Sequence, residues 1–281
     1  MSSFDVVLID GDIVAYRCAA ASEDASLGIA ALRQMEMMHG IQGKCAGVTT
    51  EVYLTGERNF RKEIAPEYKA NRTAPRPRHL EDLRELLVVG WRASVTDGYE
   101  ADDAISIRSH ELRNLESQPL SSVVASIDKD LRQIPGWHYH ITKEELTYVS
   151  EEEAIHNFYV RCLTGDSTDN VFGVPGIGDV RAARALRNCQ TSQEKFEACR
   201  KLFKDDRRFL KTGRLIHLLR TPEDEWNFPE LEQEKVASSE SIVRPQDQND
   251  LFMGLTCVTE NGTSPPGEEE ESTMTITPLV H

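Results

Sequence analysis

One stretch of this 281-residue chain carries most of the information about its fold: Leu163-Thr-Gly-Asp-Ser-Thr-Asp-Asn-Val-Phe-Gly-Val-Pro-Gly-Ile-Gly178. Asp166 and Asp169 are three residues apart, so one helical turn would place both carboxylates on the same face. The glycines that follow allow a tight turn and a close approach of the backbone to a phosphate. From Asp179 the sequence has a helical pattern, and a helix N-terminus favours an anion. The glycine spacing alone is more often an ordinary turn before a capped helix, but the aspartates before it favour a phosphate site.

Apolar segments rich in β-branched residues alternate with helical patterns along the chain. The expected strands cover residues 4–10, 48–54, 121–127, 137–141 and 146–149. The expected helices cover residues 23–39 and a segment from Leu80, with Gly40 and Gly90 as their ends, and a segment that starts at Ser150. This alternation predicts an α/β fold, with a mainly parallel central sheet flanked by helices.

Eight carboxylates lie at predicted strand ends or helix starts, and ligands bind at the strand ends of open α/β sheets. They are Asp10, Glu100, Asp102, Asp103, Asp128, Asp130, Asp166 and Asp169. Packed together they would repel one another, so divalent ions are the physical reason to collect them, and oxygen ligands select Mg²⁺ or Mn²⁺. Two ions would activate a water and stabilise the leaving oxygen of a phosphodiester displacement. Taken alone, the acids at 100–103 are equally well explained as a solvated helix start.

The net charge of −15 is unevenly distributed. Residues 223–281 contain 14 acidic and two basic residues, a net charge of −12, which leaves −3 for residues 1–222. Residues 58–78 contain seven Arg or Lys against two Glu, and residues 179–220 contain twelve against five acids. Two basic segments beside an acidic centre favour a partner that is a nucleic acid.

Six scattered cysteines form no CxxC pair, and no secretory leader or apolar run of membrane-spanning length is evident. We therefore expect reduced thiols and a cytoplasmic protein with no membrane contact.

Several motifs, in this order along the chain, resemble the 5′-nuclease family of flap endonucleases and 5′–3′ exonucleases. Phe60-Arg with the later Pro-x-Tyr-Lys-x-x-Arg72 resembles the signature at the base of the family's helical arch. Gly98-x-Glu-Ala-Asp-Asp103 and Asp128-x-Asp130 resemble its acidic motifs. The stretch 163–178 resembles the junction with its helix–three-turn–helix DNA-binding element. The resemblance covers about residues 4 to 190 and implies a PIN-like 5′-nuclease core.

The resemblance also implies roles for individual residues. All eight carboxylates would bind metal, and Lys69, Arg72, Asp128 and Asp166 would act in catalysis, the two cations by stabilising charge in the transition state. DNA contacts are implied for Tyr68, Lys69, Arg72, Arg161, Gly176, Gly178 and Arg181, with the Tyr68 ring as a face on which an unpaired base stacks. A monovalent cation at the Gly173–Gly178 hairpin is a further expectation.

The expected organisation is a nuclease core over residues 1–160, a helix–three-turn–helix region over 161–222, and an acidic, partly disordered tail over 223–281. An arch segment of about residues 58–90 would lie within the core. One residue departs from the family: Thr55 stands at a strand end where its members usually have a metal-site Asp. A shifted Glu57 or a water molecule would then fill that ligand position.

The resemblance implies a divalent-metal-dependent 5′–3′ exonuclease or 5′ flap endonuclease of the stand-alone bacteriophage type, acting in phage DNA replication. Its substrate would be duplex DNA with a 5′ end or flap, with an RNA–DNA hybrid as a second substrate and a replication protein as a partner for the tail. Two alternatives stay open. Asp10-Gly-Asp12 is also typical of haloacid-dehalogenase-like phosphatases, and a catalytically weak DNA-binding relative would keep the glycines and the basic segments.

Overall fold

The computed structural model describes residues 4–229, and its centre is a six-stranded sheet with the strand order β3–β2–β1–β4–β5–β6. The strands are β1 (Val6–Asp10), β2 (Thr49–Leu54), β3 (Ser94–Val95), β4 (Ser122–Ser126), β5 (Gly136–His140) and β6 (Glu145–Val149). The first five are parallel, and β6 pairs antiparallel with β5. The prediction of a mainly parallel α/β sheet is confirmed.

Helices cover both faces of this sheet because its central strand is apolar on both sides. Val7 and Ile9 of β1 pack in one cluster with α1 (Gly11–Ala20), α2 (Leu27–Cys45) and α4 (Leu80–Trp91). Val6 and Leu8 pack on the other face, against α5 (Ala101–Arg113). All five residues of β1 are buried, as expected of a central parallel strand.

A second apolar cluster lies among the later helices. These are α6 (Glu151–Thr164), α7 (Asp179–Leu186), α8 (Ser192–Phe203) and α9 (Asp206–Ile216), joined by the short hairpin of β7 (Gly165–Asp166) and β8 (Val171–Phe172). Trp226 and Phe228 also belong to this cluster, where both rings contact Phe209. The packed chain therefore extends past residue 223, the expected start of the tail. The prediction of a partly disordered tail otherwise falls on residues outside those described.

Two expected helix ends were wrong. Helix α2 continues through Gly40 to Cys45, where Ala46 has a φ of 47° in the left-handed region. The buried face formed by Met38, Ile41 and Cys45 continues past the glycine, and this packing outweighs the cost of about 1 kcal/mol for a helical Gly. Helix α4 likewise passes Gly90 and ends at Trp91.

The region between β2 and α4 contains α3 (Arg61–Ile64) and then turns and loops to residue 79. None of the helices among residues 4–229 is long and apolar enough to cross a membrane.

Candidate functional site

The carboxyl ends of β1 and β4 bring acidic residues to one edge of the sheet. Asp10 is the last residue of β1 and is 2% exposed. Its carboxylate accepts hydrogen bonds from Ser126 Oγ at 2.8 Å and from the Ile13 N–H at 3.1 Å, which caps α1. Asp128 follows β4, where its N–H donates to Ser126 Oγ at 3.0 Å. Adjacent parallel strands thus place these two acids beside each other.

Five of the eight predicted carboxylates line one small cleft of about 30 Å³ next to this edge, which is large enough to hold a water molecule. They are Glu100, Asp102, Asp130, Asp166 and Asp169. Within residues 4–229, no three acidic, histidine or cysteine side chains converge closely enough to hold an ion as they stand. The site is therefore a cleft bordered by carboxylates rather than a closed ion cage.

Burial and mutual repulsion raise the pKa of several carboxyl groups in this cluster. Burial raises the pKa of Asp10 to about 7, with added repulsion from Asp12 and Asp128. Burial also raises the pKa of Asp102 well above its usual range, and Asp10 and Asp128 contribute to the shift. Burial raises the pKa of Asp130 to about 6 although Arg161 acts in the opposite direction. The edge therefore favours the binding of positive charge.

Five cations pair with acids in and around the cluster. Lys69 contacts Glu100 and lies 3.6 Å from Asp169, and Arg72 contacts Asp169. The other pairs are Arg161 with Asp130 and Asp166, Arg84 with Asp12, and Arg61 with Asp103. Against these five cations stand nine carboxylates, the eight predicted ones and Asp12. The formal excess is four negative charges.

Lys69 and Arg72, the predicted catalytic cations, both reach the cleft. The Lys69 backbone has a φ of 57°, which is uncommon for a residue other than glycine, and its N–H donates to the Asp169 carbonyl at 2.9 Å. Its side chain is 22% exposed, and that of Arg72 is 52% exposed. Both can therefore meet a ligand that enters from solvent.

Tyr68 does not present its ring to solvent, and the expectation of base stacking was wrong. The residue is 5% exposed, packed in the second apolar cluster. Its hydroxyl lies 2.8 Å from Glu100 Oε2 and 3.1 Å from Asp169 Oδ2. Tyr68 therefore contacts two carboxylates of the cleft through its buried hydroxyl.

Arg161 is likewise buried, at 8% exposure, instead of lying on a DNA-binding surface. Its Nη2 donates to Asp130 at 2.8 Å and also contacts Asp166. The 2.5 Å contact between its Nε and Asp130 Oδ1 is not aligned as a hydrogen bond. Arg161 belongs to the interior of the acidic cluster.

Asp103 does not line the cleft. Its two oxygens accept from Arg61 Nη1 at 2.5 Å and Nη2 at 2.8 Å, and the carboxylate is fully buried. Arg61 also donates to the carbonyls of Leu215 and His217 at the end of α9. The structure thus places Asp103 in a clamp between α5, α3 and α9. Arg61 is part of the Phe60-Arg motif that the sequence showed, but the sequence did not indicate that Asp103 would be its ion-pair partner.

Asp166 and Asp169 lie on the β7–β8 hairpin and its turn, not on one turn of a helix as expected. Asp166 Oδ1 accepts from the Thr168 N–H at 2.7 Å, which bends the chain locally. Further on, Gly176 has a φ of 77°, which favours glycine, and Arg181 Nη1 donates to its carbonyl at 2.7 Å. Gly178 precedes α7 with open space around the position of a Cβ atom. The turn at Gly176 and Gly178 thus leaves exposed backbone at the N-terminus of α7.

Comparisons with known proteins identify the family of this chain. A family model described as the 5′–3′ exonuclease, N-terminal resolvase-like domain matches residues 5–159. DNA polymerase I of Bacillus caldotenax is 32% identical over 218 residues, which cover 66% of this chain and 24% of that protein. A 5′–3′ exonuclease of Buchnera aphidicola is 29% identical over 150 residues, 49% of this chain and 51% of that protein. The chain thus spans about a quarter or less of the DNA polymerase I relatives that it matches, and about half of the Buchnera protein.

Solved structures show the same fold. The flap endonuclease of bacteriophage T5, in a complex with DNA and metal ions, superposes with a TM-score of 0.62 at 18% identity, covering 77% of this chain and 89% of that one. The T5 5′-exonuclease with bound zinc gives a TM-score of 0.59 over similar coverage. The prediction of a PIN-like 5′-nuclease core is confirmed. Since the family model matches more than half of the sequence, this chain belongs to the 5′–3′ exonuclease family.

Proposed function

We propose that this chain is a 5′–3′ exonuclease and 5′ flap endonuclease that hydrolyses phosphodiester bonds of DNA with divalent metal ions. The observation that carries the proposal is the acidic cleft itself. Nine carboxylates, several of them buried, are only partly balanced by five cations, and a structure gains little from such an excess unless it binds positive charge. Family membership makes the phosphatase interpretation of Asp10-Gly-Asp12 the weaker one.

The donor set fits Mg²⁺ or Mn²⁺. All candidate ligands are carboxylate oxygens, and two divalent ions would carry four positive charges, the size of the formal excess. Asp10 and Asp128 at the sheet edge, and Glu100, Asp102, Asp130, Asp166 and Asp169 around the cleft, would hold them. The bound ions would supply the activation of water and the stabilisation of the leaving oxygen. Asp103 is omitted from this ligand set because Arg61 occupies both of its oxygens.

Lys69 and Arg72 would bind the scissile phosphate. Each is partly exposed at the cleft and is held there by a carboxylate of the cluster. Fixed cations close to the non-bridging oxygens stabilise the charge that develops on them more than they stabilise the ground state.

Duplex DNA with a 5′ end or flap is the substrate that best fits the remaining surface. The exposed turn at Gly176 and Gly178, followed by a helix with Arg181, can approach a backbone phosphate closely, and a monovalent cation could be bound by the same turn. The T5 neighbour was solved with DNA and metal ions, which supports this assignment. The proposal extends to a role in phage DNA replication and to cleavage of RNA–DNA hybrids. It also includes a replication protein as a partner for residues 223–281.

Asp166→Asn and Asp128→Asn test the function. Both variants should lose cleavage of an end-labelled 5′ flap in Mg²⁺ while binding the same DNA in EDTA at least as tightly, since removing negative charge does not weaken attraction to phosphate. Asp97→Asn is the matched control because Asp97 is exposed and pairs with Arg58 away from the cleft. Turnover near that of the wild type in both cleft variants would contradict the proposal, as would a wild-type chain that binds but never cuts DNA.

A further inference from the structure

The threonine that stands where the resemblance predicts an aspartate has a specific contact of its own. Thr55 follows β2 directly, and its Oγ1 accepts a hydrogen bond from the Ala101 N–H at 3.0 Å. Ala101 is the first residue of α5 and lies between Glu100 and Asp102 in sequence. The hydroxyl of Thr55 therefore satisfies a free N–H at the helix start that carries two carboxylates of the cleft.

Thr55 is itself fixed by its neighbours. Its N–H donates to Asp12 Oδ2 at 2.9 Å, and its carbonyl accepts from Arg84 Nη2 at 2.5 Å. Arg84 also pairs with Asp12, so the same guanidinium contacts both the Thr55 carbonyl and the carboxylate that accepts from the Thr55 N–H. Every polar group of Thr55 is thus engaged, and the contacts join the end of β2 to α1, α4 and α5.

A neutral hydroxyl suits this place. Glu100 and Asp102 already place two carboxylates at this helix start, and a further carboxylate at position 55 would repel them unless an ion compensated it. Threonine caps the helix without adding negative charge. The hydrogen bond from the Ala101 N–H to Thr55 also fixes the backbone at Ala101. Glu100 and Asp102 are the residues directly before and after it in sequence.

We propose that Thr55, held by Asp12 and Arg84, is a positioning residue that sets Glu100 and Asp102 at the cleft for divalent ions. The inference rests on the proposed metal-dependent function and adds a contribution by a residue that would not touch the ions. Residues that orient metal ligands through hydrogen bonds typically change metal affinity or activity by about 10- to 100-fold when they are lost.

Thr55→Val, Thr55→Ser and Thr50→Val in the full chain form the test. Thr55→Val keeps the shape and removes the acceptor, while Thr55→Ser restores it. Thr50 lies on β2, the strand that Thr55 follows, and its buried hydroxyl has no hydrogen-bond partner among residues 4–229, so Thr50→Val is a matched control. Mn²⁺ binding without DNA is measured by calorimetry, and single-turnover cleavage is measured against Mn²⁺ concentration.

We expect Thr55→Val to weaken Mn²⁺ binding about tenfold and to shift the Mn²⁺ dependence of cleavage by the same factor. Thr55→Ser and Thr50→Val should stay within about twofold of the wild type in both measurements. Thr55→Ala, which also removes the acceptor without changing the charge, should shift both in the same direction as Thr55→Val, and it covers the case in which Thr55→Val does not fold.

A Thr55→Val chain with unchanged Mn²⁺ affinity, or an effect that Thr55→Ser does not reverse, would overturn the inference, as would a lower melting temperature with no change in Mn²⁺ binding. These outcomes leave the proposed function intact as long as the wild type binds Mn²⁺ and cuts DNA. A wild type that does neither would overturn the proposed function itself.

Discussion

Asp103→Asn should destabilise the fold while leaving ion binding intact, although the sequence places this residue among the metal ligands. Arg61 and Asp103 are 2% and 0% exposed, and two hydrogen bonds join them. Removing the charge of one partner in a buried pair leaves the other uncompensated, which costs about 3–5 kcal/mol. For a domain of this size, about 2–4 °C of melting temperature is lost per kcal/mol, so the expected decrease is about 6–20 °C.

The assay compares thermal unfolding with Mn²⁺ calorimetry at a temperature where every variant is folded. Arg61→Met combined with Asp103→Leu should recover only part of the stability. The apolar pair removes the uncompensated charge, but it leaves the Leu215 and His217 carbonyls and the Glu100 and Leu219 N–H groups without these partners. The exposed pair of Arg58 and Asp97 is the control, since its removal should cost less than about 1 kcal/mol. An Asp103→Asn chain of normal stability that no longer binds Mn²⁺ would refute the clamp and return Asp103 to the metal site.

Lys69→Ala and Arg72→Ala should each lower single-turnover cleavage at saturating DNA about a hundredfold, or about 3 kcal/mol, with smaller changes in binding measured in Ca²⁺. Arg76→Ala should leave the rate unchanged, because Arg76 is exposed and pairs with Glu81; equal small losses in all three variants would show that the segment merely attracts DNA. Gly178→Ala should keep the melting temperature, since its Cβ meets nothing within 4 Å, but should weaken binding of duplex DNA several-fold by blocking a phosphate; unchanged affinity would place the DNA elsewhere. Deleting residues 230–281 should tighten DNA binding most at low salt, as removal of net negative charge predicts, and a filter-binding series in NaCl that shows no salt-dependent gain would contradict this.

The sheet was predictable because its signal is local. A short β-branched run that ends in an acid identifies both the strand and the place of its last residue, so Asp10 and Asp128 were correctly placed at one edge. The directions of neighbouring side chains on α5 were not predictable in the same way. Asp102 and Asp103 are adjacent, but Asp102 lines the cleft and Asp103 pairs with Arg61. This difference depends on Arg61, which is 42 residues away from Asp103 in sequence. Tyr68 was misjudged for the same reason, since its burial comes from packing against the later helices.

The pairing of Lys69 and Arg72 with carboxylates of the cleft has a thermodynamic consequence. While these ion pairs persist, the two carboxylates are not available to bind metal ions, and the two basic side chains are not available to bind phosphates. A divalent ion that takes over Glu100 and Asp169 would release both basic side chains, and a phosphate that takes over the basic side chains would release both acids. Each ligand would then lower the cost of binding the other by the same free energy. DNA and metal should accordingly bind this protein with positive and reciprocal cooperativity.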